Sequence, residues 1–409
     1  MVAASHTSQV ALFKRMYPKS VVNQMLKKSI GLSDCKKNTK FGGEGRHINI
    51  QTSGTGGGSA DFTVALNNQN PTTQKRFFIQ HKTEYQIASV TGQAIAQSLD
   101  DAMAVARVLK VEMDGALRKF HLQLSGRFFG NAGGARGQIS ATSAVATVTI
   151  TLANRFDHVH FEVGDWVQTA PDNGTGVAPL GVNGGGAQLQ IVSKDPILGT
   201  LTANAAWNTI AGTLANHFIF RAGDYSKAMS GLAGWVPAIA PVPGENFMGM
   251  DRSVGDVARQ AGIRYNGLGA AKEDTFLNAT AEAAALGSSL SRGYVHPLDF
   301  NDLVKELGSK RVVEAKSKDT GFGFKGIEVY TSTGILEIIA DVFQPRGSAK
   351  LVEPDDITLH TAGDCPNPLN YGGAQSTQVP LNSDGLQFRL GAYGEFGYEM
   401  NNIPVHVQF

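Results

Sequence analysis

The sequence is poor in the residues that build most catalytic and metal centres. It has two cysteines in 409 residues, Cys35 and Cys365, far apart and outside any CxxC. That leaves one long-range disulfide or two reduced thiols, and the spacing favours reduced thiols in a protein made in a reducing compartment. Charged residues are only 17% of the chain, below the usual quarter, and the net charge is +1. That balance argues against a protein-wide field for nucleic acid. No charged-then-apolar leader opens the chain and no apolar run reaches the ~18 residues of a membrane span, so the chain reads as soluble. The dipeptide Gly-Lys occurs nowhere, which removes the Walker phosphate loop. HExxH and GxSxG are absent as well, and no nucleophile–base arrangement stands out.

What the chain does have is glycine, 48 residues of it, and an uneven charge distribution. The first 46 residues hold nine Lys/Arg against Asp34 and Glu44, a local +7, leaving the remainder near −6. This basic arm (Lys14, Arg15, Lys19, Lys27, Lys28, Lys36, Lys37, Lys40, Arg46) reads as a solvated run, an inter-subunit clamp, or a contact to nucleic acid. Aromatic interleaving is sparse, so stacking on single strands is disfavoured. Within the arm, residues 9–32 have a helical pattern interrupted by Pro18, and residues 33–45 lack apolar content for a core of their own.

Alternation then marks strands. Ile48 and Ile50 alternate with polar neighbours, and residues 75–90 alternate over their whole length. Phe77, Ile79, His81, Thr83, Tyr85 and Ile87 fall on one face, with Arg76, Gln80, Lys82, Glu84 and Gln86 on the other. The two strands bracket an elaborated tip. A ~14-residue strand would project about 45 Å and, as a lone hairpin, needs a partner surface. The tip holds Gly54, Gly56, Gly57 and Gly58, superficially a phosphate cradle. It is expected to lead into another strand, not a helix, so it reads as a pliable hairpin end.

From Thr91 an apolar stripe runs Ile95, Leu99, Met103, Ala106, Leu109, Met113, Leu117, Phe120 and Leu124, predicting one helix of about 35 residues and ~50 Å laid across a sheet. Residues 132–222 are rich in Thr, Val and Gly with strand-length segments at regular spacing, an inserted small β-barrel or sandwich. His158 and His160 form an HxH pair there, expected on one strand face and without a third metal ligand. Asp100–Asp101 and Asp355–Asp356 are adjacent carboxylates that point apart. Beyond residue 244 helices are expected over 275–290 and 297–310. Strands are expected at GIEVYTS and GILEIIADVF, joined as a hairpin, and in the two closing segments.

The order of these parts resembles the tailed-bacteriophage major capsid protein of the Hong Kong 97 type. The residues that carry the resemblance are KTEYQIASVTGQAIAQSLDDAMAVA, GYVHPLDFNDLVKELGSKR, GFGFKGIEVYTSTGILEIIADVFQP and FGYEMNNIPVHVQF. It implies an α+β fold made of an N-terminal arm (1–45), an extended β-hairpin loop (46–90), a spine helix (91–131) and a β-rich insertion (132–222). An axial domain with returning strands (223–409) completes it. It further implies a structural, non-enzymatic coat protein that assembles as pentamers and hexamers into an icosahedral shell around double-stranded DNA. Cofactors and metals are not expected. Further partners would be decoration, scaffolding and portal proteins, and the location the virion capsid, made in the host bacterial cytoplasm. Candidate inter-subunit contacts are Lys14, Arg15, Lys27, Lys28, Lys36, Lys37, Gly54, Gly56, Gly57, Gly58, Phe62, Lys75, Arg76, Lys82 and Glu84. A cargo-enclosing shell of the same fold and a phage tail or surface β-protein remain as alternatives.

Overall fold

The computed structural model describes residues 29–92, 102–176, 179–180, 187–307, 326–369, 377–378 and 384–409. The chain is α+β, organised around one long helix, Ala102–Phe129. Its 28 residues span about 42 Å at 1.5 Å per residue. Met113, Leu117, Phe120, Leu124 and Phe128 repeat at intervals of three or four, and all are buried. This stripe lies against strands Lys82–Thr91 and Gly385–Tyr398, so the helix is laid across a sheet. The helix ends where Gly130 donates its N–H to Arg127 O.

Three sheets carry the body. In the first, Lys36–Asn38, Ile357–Thr361, Gly385–Tyr398 and Lys82–Thr91 lie side by side. The second is a mixed six-stranded sheet, in spatial order Ile263–Asn266, Val405–Gln408, Ser348–Val352, Arg292–Val295, Gly334–Ala340 and Ile327–Thr331. Helices Lys272–Ala285 and Pro297–Leu307 belong to this unit, which has its own core around Phe276, Leu303, Ile338 and Val405. The turn between Thr331 and Gly334 makes the expected tight hairpin.

The third sheet is wholly antiparallel, from Ala135–Gln138 through to Phe218–Arg221. Ser140 N–H donates to Thr151 O and Ala153 N–H to Gln138 O, joining the two strands at opposite ends of the sheet order, Ala135–Gln138 and Thr149–Thr151. The sheet therefore closes into a small barrel. Ile139, Phe161, Ile191, Leu201, Trp207 and Ile219 fill a core separate from the other two.

The structure departs from the sequence reading in four places. The long strand of residues 75–90 is two strands, Thr73–Gln80 and Lys82–Thr91, interrupted at His81. Burial changes parity at that break. Phe77 and Ile79 are buried before it, whereas Glu84 and Val90 are buried after it and Tyr85 and Ile87 are exposed. The first half pairs with Gly45–Ser53 and the second with Gly385–Tyr398, so each half answers to a different surface. The hairpin arm is accordingly about 26 Å long, eight residues at ~3.3 Å, and not 45 Å.

The end of the basic arm is also bound into its own chain. Leu32, Cys35 and Phe41 are buried in the central core, and Lys36–Asn38 adds a parallel strand. Third, the glycine-rich tip does lead into a helix, Phe62–Asn67. Last, His158 and His160 sit in a 3₁₀ turn, Arg155–His160, not on a strand. Both cysteines are free and buried in the central core, where burial raises the pKa of each thiol, that of Cys365 to about 12.

Candidate inter-subunit surfaces

The hairpin is anchored at its base and bare at its tip. Cross-strand pairs Ile48↔Phe77 and Arg46↔Ile79 place Ile48, Ile50, Phe77 and Ile79 on one buried face. Phe77 meets Trp235 edge-on, with ring centroids 4.9 Å apart and planes at 70°. Phe78 N–H donates to Met248 O at 2.8 Å, and Lys75 Nζ reaches Gln260 Oε1 at 3.2 Å and Val254 O. Lys75 is therefore engaged within its own chain.

Residues 54–72 form the tip. Gly56 N–H donates to Asn70 O, and Gly57 holds φ +98, where a Cβ would lie 2.9 Å from Ala65 O. Only glycine fits that turn without strain. Asp61 caps the short helix, its Oδ1 accepting from Thr63 N–H at 2.7 Å and Val64 N–H at 3.1 Å. A phosphate approaching this helix would meet the Asp61 carboxylate, so the nucleotide reading fails for a reason other than the expected one. Phe62, Val64 and Leu66 stand 80%, 46% and 52% exposed. An isolated exposed leucine is ordinary, but three apolar residues on a six-residue helix form a knob.

The other candidate residues divide. Lys14, Arg15, Lys27 and Lys28 lie outside the described residues. Lys36 is exposed and pairs with Asp355 at 3.1 Å. Lys37 lies beside the two thiols, and burial lowers its proton affinity. Arg76 is exposed and forms no ion pair among the described residues. Lys82 is half-buried opposite Gly394 in the sheet. Glu84 is 2% exposed and belongs to an internal charge cluster.

That cluster was not legible in the sequence, because its members are scattered from residue 84 to residue 224. Glu84 pairs with Arg221 and, at 3.5 Å, with Arg127 of the long helix. Asp224 takes Arg127, Arg221 at 2.8 Å and Arg136 at 3.5 Å. Asp165 takes Lys119 and, at 3.7 Å, Arg136. Burial alone would raise the Asp224 carboxyl, but Arg127, Arg221 and Arg136 outweigh it and hold its pKa below the ordinary value. Burial and the nearby Arg221 bring the Arg136 guanidinium down to about 10. Strand Lys82–Thr91, the long helix and the barrel are thus tied by one network of charge-assisted bonds.

Beside the cluster opens a cleft of about 540 Å³, walled by Thr83–Ile87 on one side and by barrel residues Gly164–Trp166 on the other. Tyr85, Ile87 and Trp166 along its rim are 46%, 54% and 47% exposed. His160 is pressed on Gly126 of the long helix, and burial, with Arg136 and Arg127, lowers its pKa to about 3. Among the described residues no three His, Cys, Asp or Glu side chains group to hold a metal ion. Asp355 faces Lys36 while Asp356 accepts from Asn401 and Asn402, so that pair points apart; Asp100 and Asp101 lie outside the described residues. No helix among the described residues is long and apolar enough to cross a membrane.

No family model matches the sequence, and no curated protein matches it. Among solved structures, the chain is similar to the capsid asymmetric unit of cyanophage A-1(L), at TM-score 0.48 and 12% identity over 91% of this chain and 90% of that one. It is similar to the capsid of a native GTA particle at TM-score 0.45 and 10% identity, covering 92% and 88%. A third neighbour is the holo-SrpI encapsulin complex from Synechococcus elongatus, at TM-score 0.37 and 8% identity, covering 91% and 84%.

Proposed function

We propose that this chain is a structural coat protein of the Hong Kong 97 type, which closes with copies of itself into a shell around double-stranded phage DNA. The observation that carries the reading is the hairpin: its base is locked into the central core by Phe77 and Ile79, and its tip presents Phe62, Val64 and Leu66 to solvent. A rigid arm ending in an apolar knob stabilises nothing in an isolated molecule. Between copies it becomes the overlap that links one subunit to the next, and many such modest contacts sum to a stable closed shell.

In this reading residues 46–80 and the tip form the extended loop, Ala102–Phe129 the spine and the closed barrel an insertion on it. The mixed sheet with its two helices is the axial unit near the capsomer centre. Gly54, Gly56, Gly57, Gly58, Phe62 and Arg76 are the contact residues of the hairpin. Lys36 and Lys37 are proposed contact residues on the edge strand Lys36–Asn38. The protein works by self-association as hexamers and pentamers, without catalysis or cofactor, and its place is the virion.

Deleting residues 53–70 tests this. Particles should be lost while the mixed sheet stays folded, read as unchanged thermal unfolding of the body. Assembly of the deletion variant at wild-type yield would refute the role of the hairpin. Nucleic acid inside isolated particles, against protein cargo alone, separates a genome container from a cargo shell. Fibres or tubes would instead favour the tail or surface protein.

A further inference from the structure

The cleft between strand Lys82–Thr91 and the barrel is balanced in charge and rimmed by aromatic rings. Lys119, Arg221 and Lys227 line it against Glu84, Asp165 and Asp224. Of these six only Lys227 is uncommitted: Asp165 holds Lys119, and Arg221 bridges Glu84 and Asp224. The cleft therefore offers no net field to a phosphate or a polyanion. Its free groups are of another kind. Gln123 is 5% exposed, and its Nε2 donates to Gln86 Oε1 at 3.1 Å. Its own Oε1 accepts nothing among the described residues. A buried acceptor in that state costs free energy until a donor reaches it. The Thr83 and Tyr85 hydroxyls, Trp166 Nε1–H and the Lys227 ammonium belong to residues lining the same cleft. None of these four groups has a hydrogen-bond partner among the described residues. Donors and acceptors are both present, and only Lys227 carries charge. Trp166 and Tyr85 add half-exposed ring faces. The cleft's volume of about 540 Å³ lies within the range of about 300–1,000 Å³ for small-molecule sites.

We infer that this cleft binds a neutral saccharide, a short run of pyranose units with one ring laid on Trp166 and a hydroxyl donated to Gln123 Oε1. Each property of the cleft has its counterpart in that chemistry. A neutral pyranose is indifferent to a balanced charge set. Its hydroxyls both donate and accept, as the free groups here require. Its C–H face, polarised by the ring oxygens, suits the negative face of an indole or phenol ring. A phosphorylated or sulfated ligand would have to compete with Glu84, Asp165 and Asp224 for the paired cations. A wholly apolar ligand would leave Gln123 Oε1 buried and unbonded. The two walls are also fixed before any ligand arrives, because Glu84 of the strand holds Arg221 of the barrel. Preorganisation of that kind lowers the cost of binding. The inference goes beyond the shell reading and does not depend on it, since every residue of the cleft comes from one chain.

Trp166 makes the test optical. The chain has three tryptophans, and Trp207 and Trp235 are fully buried, so acrylamide quenching of the full-length protein reports Trp166. The probes are maltotriose, cellotriose, chitotriose and mannotriose, titrated into both the unassembled and the assembled fractions. At least one of the four should protect the fluorescence saturably, with a midpoint below about 10 mM. That midpoint should not move between about 0.05 and 0.5 M NaCl, because no charge is neutralised on binding. Gln123→Leu keeps the bulk of the side chain and loses its oxygen, and should weaken protection at least about tenfold. Trp166→Ala changes a half-exposed position, so the fold should survive, checked as unchanged cooperative thermal unfolding. In that variant the saturation-transfer NMR signal of the same sugar should be lost. Protection by none of the four sugars in either fraction overturns the inference. Protection by trigalacturonate alone, removed by salt, makes the cleft an anion site and overturns it as well. A saturation-transfer signal that survives Trp166→Ala places the sugar elsewhere, with the same consequence.

Discussion

Substituting Asp224→Asn should loosen the barrel from the body without unfolding either. The Asp224 carboxylate is 9% exposed at its side chain and receives Arg127, Arg221 and Arg136. Asparagine keeps the shape and removes the charge, so three buried guanidiniums share only Glu84 and Asp165. Breaking a buried ion pair by removing one partner costs about 3–5 kcal/mol, because the remaining charge is left uncompensated. At 1.4 kcal/mol per decade this raises local opening by roughly two to three and a half orders of magnitude. Hydrogen exchange reads it directly at the junction, where Ser226 N–H donates to Gly133 O and Gly223 N–H to Gln168 Oε1. The control is strand Arg292–Val295 in the mixed sheet, whose exchange should not change. A carboxyl with depressed folded pKa contributes stability above its unfolded value near 3.8, lost as pH falls through the folded value, so the full effect is present at pH 6–8. Adding Arg127→Met to Asp224→Asn removes one of the stranded cations and should exchange more slowly than Asp224→Asn alone. Unchanged junction exchange, or a double variant no milder than the single, would refute the claim that this cluster holds the two units together.

Three further outcomes follow from the same geometry. Glu395 is buried and its pKa is raised to about 8, by burial above all, while it accepts from Ser230 and Phe396 N–H. A raised folded pKa gives stability that is complete below about 4.5 and lost, at about 1.4 kcal/mol per pH unit, as pH rises towards 8. Glu395→Gln should therefore match wild type at pH 4 and exceed it at pH 9 in urea unfolding; a pH-independent difference would contradict this. Phe77→Ala empties a fully buried site against Trp235 and should cost about 3–5 kcal/mol, measured as early detachment of the hairpin by proteolysis after residue 80. Gly231→Ala would place a Cβ 2.1 Å from the carbonyl oxygens of Arg127 and Phe128, so the expected readout is insoluble or unfolded protein by circular dichroism, and a native spectrum would refute it.

The parts of the fold that sequence exposed are those where one local rule governs a whole element. The spacing of Met113, Leu117, Phe120 and Leu124 announces a helix with one buried stripe, and the tight Thr331–Gly334 turn announces a hairpin. The short Thr/Val segments within residues 132–222 read as strands, and the strands there close into a barrel. What stayed hidden depends on partners far along the chain. Alternation from Phe77 to Ile87 looks unbroken, yet the inward face changes at His81 because the two halves pair with different strands. Tyr85 and Ile87 are apolar and exposed, whereas Glu84 is charged and buried, since Arg127 and Arg221 await it inside. No window of sequence around residue 84 contains those arginines. The helix at the tip was hidden by the glycines before it, which signal a turn but say nothing of the Asp61 cap that follows.

The most direct test is electron microscopy of the expressed full-length chain at high concentration. Closed particles built from rings of five and six copies are the predicted result, with the hairpin tip of each copy lying on a neighbour. A monodisperse monomer, cooperatively folded and unable to associate, would contradict the account.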